Sequence, residues 1–274
     1  FISARGNFTF TRNTVLKDGK YYAYPWQDYK GVRYGLTLGY KAMHLFSQEE
    51  LDNMPEYYEQ FSMDKTQLRP GDIRYEDLND DGKITEADRT WIGDPSMPEL
   101  VYGFGASLKY KGFDFSFLLQ GAGNRSTYLT GGWYFQPFQA DRSPKYMGNV
   151  MTMFLDRWTE DNPNPNAFSP RLSYGANANN YKTSTWWQRD ASYLRIKNIE
   201  LGYTLPENLT KKIHAKSMRV YLQGVNLLTI SKFYSDFWDP ETSADSYPMQ
   251  KTIYLGLNLS LIHISEPTRH AQIS

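Results

Sequence analysis

The chain has 274 residues, 30 lysines and arginines balanced by 30 aspartates and glutamates, and no cysteine. Its zero formal charge excludes the basic surplus typical of nucleic-acid-binding proteins, and the lack of cysteine excludes disulfides, thiol nucleophiles and cysteine-based zinc sites. No apolar run approaches the roughly 18 residues that indicate a transmembrane helix. This does not exclude transmembrane β-strands, because strands that alternate apolar and polar residues have a low average hydropathy.

Apolar and polar residues alternate with a period of two from the start of the chain, in FISARGNFTF at 1–10. The alternation returns in VYGFGASLKY at 101–110 and, after Lys111 and Gly112, in FDFSFLLQG at 113–121. A period of two predicts strands with one apolar and one polar face, and a two-residue turn predicts a hairpin.

Three further strands are predicted at 193–205, 218–230 and 252–261. The last alternates strictly, whereas the first two change phase, which predicts a β-bulge near Lys197 and Asn198 or an upper half outside the membrane. On one face we expect Phe104, Leu108, Phe115, Phe117, Leu255 and Leu257. On the other we expect Ser107, Lys109, Ser116 and Asn258.

Long and short connections alternate between the predicted strands. Outer-membrane barrels combine short periplasmic turns with long external loops. We therefore predict an all-β chain of six or so antiparallel strands that belong to a transmembrane barrel. We expect the chain to be only a fragment of that barrel, because even small bacterial barrels need about eight strands. Gly112 and residues 206–216 should lie on the periplasmic rim, and residues 77–88, Trp133 and Trp238 on the opposite rim.

Several ordered segments resemble one known family. They are GDIRYEDLNDDGKITEADRTWIGDPSMPELVYGFGASLKYKGFDFSFLLQG, YLRIKNIELGYTLP and MRVYLQGVNLLTISKFYSDFWDPE. Together they resemble the C-terminal part of SusC/RagA-type TonB-dependent outer-membrane transporters. The resemblance implies a barrel of about 22 strands with a plugged lumen. It also implies a Gram-negative outer membrane, where the whole protein imports oligosaccharides or peptides using the TonB complex and a SusD-like surface lipoprotein.

The resemblance covers residues 1–261, which we expect to form the C-terminal portion of the barrel, without the plug or the N-terminal region through which TonB acts. Residues 262–274, IHISEPTRHAQIS, lack the alternation. Because IHISEPTRH resembles translated sequencing-adapter read-through, we expect this tail to be non-native. A short periplasmic tail is the alternative.

The segment DLNDDGKITEAD at 77–88 has the spacing of an EF-hand calcium loop. Such loops place oxygen ligands at positions 1, 3, 5, 7, 9 and 12 and glycine at position 6, which is Gly82 here. The predicted ligands are Asp77, Asn79, Asp81, the Lys83 carbonyl, Thr85 and Asp88. An aspartate at position 12 reaches less far than the usual glutamate. We expect the calcium ion to shape an external loop, and the alternative is a polar turn without metal.

Aromatic residues in the predicted external loops are candidates for contact with substrate or with the SusD-like partner, because rings with polar neighbours stack on sugars and anchor interfaces. They are Trp133, Phe135, Trp186, Trp187, Phe237 and Trp238. Ordinary packing of long loops against one another is the alternative.

The four histidines are scattered, so neither a catalytic dyad nor a histidine metal cluster is predicted, and we expect no enzyme. A second function class stays open: a soluble, calcium-stabilised β-sandwich that binds carbohydrate. An apolar stripe with tyrosines at both ends, Tyr102 and Tyr110, favours the membrane protein over the sandwich.

Overall fold

The structure is a computed structural model, and it describes residues 1–129, 137–138, 150–175, 177–232, 239–242, 247 and 249–261. Its main feature is one antiparallel sheet, in which each long strand pairs with the next along the chain. The strands are β1 (Ile2–Phe10), β2 (Leu100–Tyr110), β3 (Phe113–Gly123), β4 (Tyr193–Thr204), β5 (Ala215–Ser231) and β6 (Thr252–Leu261). All six predicted strands are confirmed.

The pairing register sorts the side chains of the sheet onto two faces. Leu108 of β2 pairs with Phe115 of β3, and Val220 of β5 pairs with Leu257 of β6. Directly paired residues point to the same face, and successive residues along a strand point to opposite faces. Followed across all six strands, the register confirms both predicted sets, one on an apolar face and one on a polar face.

The turn between β2 and β3 consists of Lys111 and Gly112, whose φ angles are 47° and 87°. Two consecutive positive φ values are the signature of a type I′ turn, the connection that best matches the twist of a hairpin. Glycine suits this conformation because it has no Cβ to clash with the following carbonyl. The predicted hairpin is confirmed.

A β-bulge interrupts β4 at Lys197. On the β3 side, Leu118 pairs with Asn198 and the next residue, Leu119, pairs with Ile196, so Lys197 is the extra residue. The register between β4 and β5 shifts at the same place. The predicted bulge is confirmed, and it explains why the apolar residues of this strand change phase.

The apolar face of the sheet is exposed, and Phe104, Leu255 and Leu257 are among its exposed residues. Within the described ranges no second sheet pairs against the six strands or covers this face. A β-sandwich needs such a cover, so the described architecture does not match the sandwich alternative.

The connections contain short elements of their own. Paired short strands are Thr37–Gly39 with Thr90–Ile92, Ala42–Leu45 with Ile73–Tyr75, Glu59–Gln60 with both Met63–Asp64 and Lys83–Ile84, and Ser126–Tyr128 with Gln188–Asp190. The helices are α1 (Gln48–Asp52) and α2 (Glu207–Thr210), with 3₁₀ turns at Pro25–Gln27, Glu86–Asp88, Thr152–Leu155 and Lys211–Ile213. None of the helices in the described ranges has the length and apolar character needed to span a membrane.

The buried apolar residues lie mainly in the connections. The first loop cluster consists of Tyr40, Leu45, Phe46, Leu51, Met54, Tyr58, Leu68, Ile73, Tyr75, Ile84, Trp158 and Ala167. The second loop cluster consists of Leu129, Met153, Phe154, Phe168, Trp187 and Ala191. Because Trp158 and Ala167 belong to the β3–β4 connection, the first cluster joins that connection to the one between β1 and β2.

Candidate functional site

The acidic loop, residues 77–88, lies in the connection between β1 and β2, on the rim opposite the Lys111–Gly112 turn. Its strand Lys83–Ile84 pairs with Glu59–Gln60, and a 3₁₀ turn ends it. Thr85 caps this turn. Its hydroxyl accepts a hydrogen bond from the Ala87 N–H, and the Asp88 carboxylate accepts one from the Thr85 N–H. The second half of the loop is thus anchored to neighbouring structure.

Two carboxylates close the first half of the acidic loop. Asp77 accepts a hydrogen bond from the Gly82 N–H at 2.7 Å, and Asp81 accepts one from the Lys83 N–H at 2.8 Å. Gly82 has a φ of 78°, and a Cβ at this position would lie 2.4 Å from the Tyr57 ring. The backbone conformation therefore favours glycine at position 6 of the loop, and a Cβ there would have to displace the exposed Tyr57 ring.

Asp88, the last residue of the loop, is buried and accepts hydrogen bonds from the N–H groups of Leu78, at 2.9 Å, and Thr85, at 2.7 Å. Burial raises the pKa of its carboxyl, and the charges of Asp77 and Asp81 raise it further, although the two amides oppose this shift. Of the five carboxylates in the loop, Asp77 and Asp81 are therefore close enough to Asp88 to interact with it electrostatically.

The predicted ligands have other partners within the loop. The Asn79 carboxamide donates to Asp81 at 2.9 Å, and the Thr85 hydroxyl accepts from the Ala87 N–H at 3.2 Å. Across the described ranges, no group of three or more histidine, aspartate or glutamate side chains is arranged to hold a metal ion. The calcium site stays a prediction.

The carbonyl of Lys83, the predicted ligand at position 7, lies between two carbonyls that already have partners. Gly82 and Ile84 each accept a hydrogen bond, at 3.2 Å and 2.9 Å, from N–H groups at Glu59 and Phe61. Because alternate carbonyls of a strand point in opposite directions, the Lys83 carbonyl points away from this neighbouring strand.

The aromatic candidates occupy different environments. Trp187 is 0% exposed, its indole N–H donates to the Asn180 carbonyl at 2.6 Å, and its ring stacks on Tyr181. Trp186 is half-buried and packs against both loop clusters. Trp187 thus packs the connections together and has no exposed ring face to offer a ligand. The remaining candidates, Trp133, Phe135, Phe237 and Trp238, lie outside the described residues.

A charged cluster around Glu99 holds the β1–β2 connection to the sheet. Arg12 approaches the Glu99 carboxylate to 2.7 Å, Arg33 to 3.2 Å, and the Asn124 carboxamide donates to it at 3.2 Å. The Arg12 hydrogen bond is the main cause that lowers the pKa of this buried carboxyl, and Arg33 and Asn124 reinforce it. The cluster joins the two ends of the connection to the end of β3.

A second charged cluster lies on the polar face of the sheet. Arg195 of β4 is fully buried and contacts Asp239 and Glu241, each at 2.5 Å. The hydroxyl of Tyr193 donates to the same Glu241, also at 2.5 Å. Residues 239–242 of the β5–β6 connection are thus held against the polar face.

A cavity of about 830 Å³ opens beside the first loop cluster. One side is fixed by Arg171, whose guanidinium contacts the buried Asp72 carboxylate at 2.7 Å. Arg69, Trp158 and Glu160 also line the cavity. Its volume lies within the range of small-molecule sites, which is roughly 300–1,000 Å³.

The chain is similar to curated TonB-dependent receptors. It is 27% identical to TonB-dependent receptor P3 of Formosa agariphila over 94% of this chain and 24% of that protein. It is 32% identical to receptor P26 of the same organism over 69% of this chain and 20% of that protein. TonB-dependent receptor SusC of Bacteroides thetaiotaomicron is 27% identical over 70% of this chain and 18% of its own length. The resemblance to SusC/RagA-type TonB-dependent transporters is confirmed.

The fold agrees with that of solved SusC/RagA-type structures. A chain in the structure of the RagAB peptide transporter superposes with a TM-score of 0.64 at 21% identity, over 94% of this chain and 27% of that chain. The RagAB peptide importer in its 'open-open' state gives a TM-score of 0.60 at 20% identity, over 95% of this chain and 26% of that chain. No protein-family model matches the chain. The chain spans about a quarter or less of the length of the TonB-dependent receptors to which it is similar.

Proposed function

We propose that this chain forms part of the wall and the external loops of an outer-membrane TonB-dependent transporter that imports oligosaccharides or peptides. The observation that carries the proposal is the continuous exposed apolar face of the six-stranded sheet. Leu257, near the middle of β6, is 55% exposed, and Leu255 and Phe104 on the same face are also exposed. An apolar surface that crosses a whole sheet indicates an apolar partner, and lipid is the partner that a barrel wall requires.

The opposite face carries the polar groups expected of a barrel lumen. Arg219 of β5 contacts Glu200 of β4 at 2.6 Å and also forms an ion pair with Asp114 of β3. Ion pairs of this kind are unfavourable against lipid but suit a hydrated interior. The two faces of the sheet therefore fit two different solvents.

The connections support one orientation of the wall. Lys111–Gly112 and residues 205–214 join neighbouring strands at one rim, whereas the long connections leave from the other rim. Since outer-membrane barrels have short periplasmic turns, we assign the first rim to the periplasm and the loop clusters to the cell exterior.

The partners follow from the resemblance to SusC and RagA. We propose that the whole protein works with a SusD-like lipoprotein docked on the external loops and takes energy from the TonB complex. Oligosaccharides and peptides are both retained as substrate classes, because the resemblance to SusC/RagA-type transporters implies both, and RagAB, whose fold is similar, is a peptide transporter.

Cell fractionation tests the proposal. The protein that contains this chain should be recovered from the outer-membrane fraction, and cells that lack it should lose uptake of fluorescently labelled oligosaccharides or of labelled peptides. Recovery of the chain as a soluble, folded monomer would contradict a membrane-wall function and favour the soluble carbohydrate-binding alternative.

We further propose that the acidic loop binds Ca²⁺ through Asp77, Asn79, Asp81, the Lys83 carbonyl, Thr85 and Asp88. The observation in favour is that the loop folds its carboxylates towards one another. Asp77 accepts from the Gly82 N–H at 2.7 Å and Asp88 accepts from the Leu78 N–H at 2.9 Å, and the charges of Asp77 and Asp81 contribute, after burial, to the raised pKa of Asp88. A cation among these carboxylates would remove their repulsion, and oxygen donors of this kind suit calcium. Binding requires Asn79 and Thr85 to exchange their present hydrogen bonds for the ion.

Limited proteolysis with calcium and with a chelator tests this site. Calcium should protect the backbone between Gly71 and Gly93, and the double change Asp77→Asn and Asp81→Asn should abolish the protection. The matched control, Asp52→Asn with Glu56→Gln, removes two exposed acidic charges from the same connection and should leave the protection intact. Identical cleavage with calcium and with chelator in the unchanged protein would leave the acidic loop as a polar turn.

A further inference from the structure

The short-turn rim of the sheet carries a surplus of positive charge. The connection from β4 to β5 contains Lys211 and Lys212, Lys216 follows at the start of β5, and Lys111 lies in the neighbouring hairpin turn. All four lysines are exposed. These two connections contain one acidic residue, Glu207, which lies 3.2 Å from Lys211. Neither connection offers an acidic residue to balance the charges of Lys111, Lys212 and Lys216.

Exposed apolar side chains accompany these lysines. Leu209 is 48% exposed and Ile213 is 53% exposed. They are four residues apart in consecutive helical turns, α2 and the 3₁₀ turn that follows it, a spacing that places side chains on the same side of a helix. Neither contributes to the loop clusters, which lie in the long connections.

The same rim holds the aromatic end of the apolar face. Tyr110, Phe113 and Tyr203 are exposed, and the Phe113 and Tyr203 rings are 4.5 Å apart. The hairpin turn contacts the end of β4, immediately before the β4–β5 connection, since the Thr204 N–H donates to the Gly112 carbonyl at 2.8 Å. Tyrosines are enriched where a membrane meets water, so the lysines lie at the height of the lipid headgroups if the apolar face contacts lipid.

We propose that this basic rim, formed by Lys111, Lys211, Lys212, Lys216, Leu209 and Ile213, binds the headgroups of anionic phospholipids in the periplasmic leaflet. The proposal rests on the membrane-wall function proposed above. Lysine ammonium groups attract phosphodiesters with a net negative charge, and the exposed leucine and isoleucine can enter the apolar boundary beneath them. Zwitterionic lipids lack the net charge and should bind less well.

The opposite rim lacks such a surplus around the described end of the sheet. There Arg12 and Arg33 both contact the Glu99 carboxylate, and Arg33 also contacts Asp94 at 2.8 Å. Positive charges that are already paired with carboxylates attract an anionic ligand only weakly. The contrast between the rims is the reason to assign the lipid site to the short-turn side.

Native mass spectrometry of the purified protein in detergent, with equimolar phosphatidylglycerol and phosphatidylcholine, tests the proposal. The unchanged protein should retain phosphatidylglycerol preferentially. The triple change Lys211→Gln, Lys212→Gln and Lys216→Gln should lower this retention at least about tenfold, since each lysine near an anionic surface contributes about fivefold in affinity. The matched control, Lys17→Gln, Lys20→Gln and Lys30→Gln, removes three lysines from a long connection and should have no effect.

Two further arms keep the outcome decisive. The triple Lys→Arg variant at positions 211, 212 and 216 should retain the lipid, and salt at about 0.5 M should release it from the unchanged protein, because the attraction is electrostatic. Equal retention of both lipids, or equal loss in both Lys→Gln variants, overturns the proposal. A protein that inserts into vesicles without preferring anionic lipid contradicts only the lipid site. A protein that does not insert contradicts the membrane-wall function as well.

Discussion

The sheet of this chain exposes apolar side chains on one face, whereas the long connections bury theirs. In the sheet, Leu255 and Leu257 lie exposed on one face. In the β1–β2 connection, Phe46 and Ile73 are 0% exposed and belong to a shared cluster. Among the described residues, the two buried apolar clusters therefore lie in the connections and not in the six long strands.

The difference shows that two sources of stability act in one chain. The connections fold as a soluble domain does, by removing apolar surface from water. The sheet is held by hydrogen bonds between neighbouring strands, and its exposed apolar face needs an apolar partner, which we propose to be lipid. Substitutions in the two regions should consequently respond in different ways to the removal of lipid.

The largest effect is expected from a cavity in the first loop cluster. Phe46→Ala should lower the free energy of unfolding of the connections by about 3–5 kcal/mol, because a large buried ring is lost and the surrounding side chains collapse only partly. Hydrogen exchange of residues 40–84 would measure the change. Met43→Ala, at an exposed position of a neighbouring short strand, should change it by less than about 0.5 kcal/mol. Similar effects of both changes would contradict the buried position of Phe46.

A smaller effect is expected on the sheet, and it depends on lipid. Leu257→Arg should cost about 2–4 kcal/mol when the protein folds into bilayers, because a charge near the midplane must leave water. Urea titration in lipid vesicles would measure this cost. Asn258→Arg, one residue further on and on the polar face, should cost clearly less. If the two costs are equal, the assignment of the faces to lipid and lumen is wrong.

The Glu99 cluster joins the two regions, and its effect should depend on pH. Glu99→Gln should destabilise the connection by about 1–3 kcal/mol at pH 7, because Arg12 and Arg33 lose a shared charged partner. The folded-state pKa of Glu99 is lowered. The ionised Glu99 carboxylate therefore stabilises the folded state at pH values above its unfolded-state pKa of about 4.3. This stabilisation is lost as the pH falls through the lowered folded-state pKa.

Thermal unfolding of the unchanged protein and of Glu99→Gln between pH 7 and pH 3 would measure this dependence. The two curves should approach each other as the pH falls below about 4. A difference that stays constant down to pH 3 would show that the ionised carboxylate contributes nothing to the cluster.

The smallest effect is expected at the hairpin turn of the sheet. Gly112→Ala should cost about 1–2 kcal/mol, since its φ of 87° disfavours a residue with a Cβ. Gly19→Ala is the matched control, because a Cβ at Gly19 would meet no atom within 4 Å. Refolding yields into vesicles would report both changes, and equal yields would argue against the type I′ turn.

Local patterns in the sequence sufficed to predict the six strands and the hairpin, and they marked the place near Lys197 where the structure has its bulge. Each of these depends on residues that are neighbours along the chain. A period of two survives wherever one face of a strand meets an apolar environment, and the change of phase near Lys197 could be detected without its partner strand. The spacing of Asp77, Gly82 and Asp88 was readable for the same reason, since an EF-type loop is a local pattern.

Contacts between side chains far apart along the chain became visible only in the folded structure. Trp187 and Trp186 are adjacent and look alike in the sequence, yet only the packing of the second loop cluster buries Trp187 completely. Arg195 finds Asp239 and Glu241 more than 40 residues later. No periodicity marks such partners, because the connections fold irregularly and their contacts join residues whose spacing along the chain carries no repeating signal.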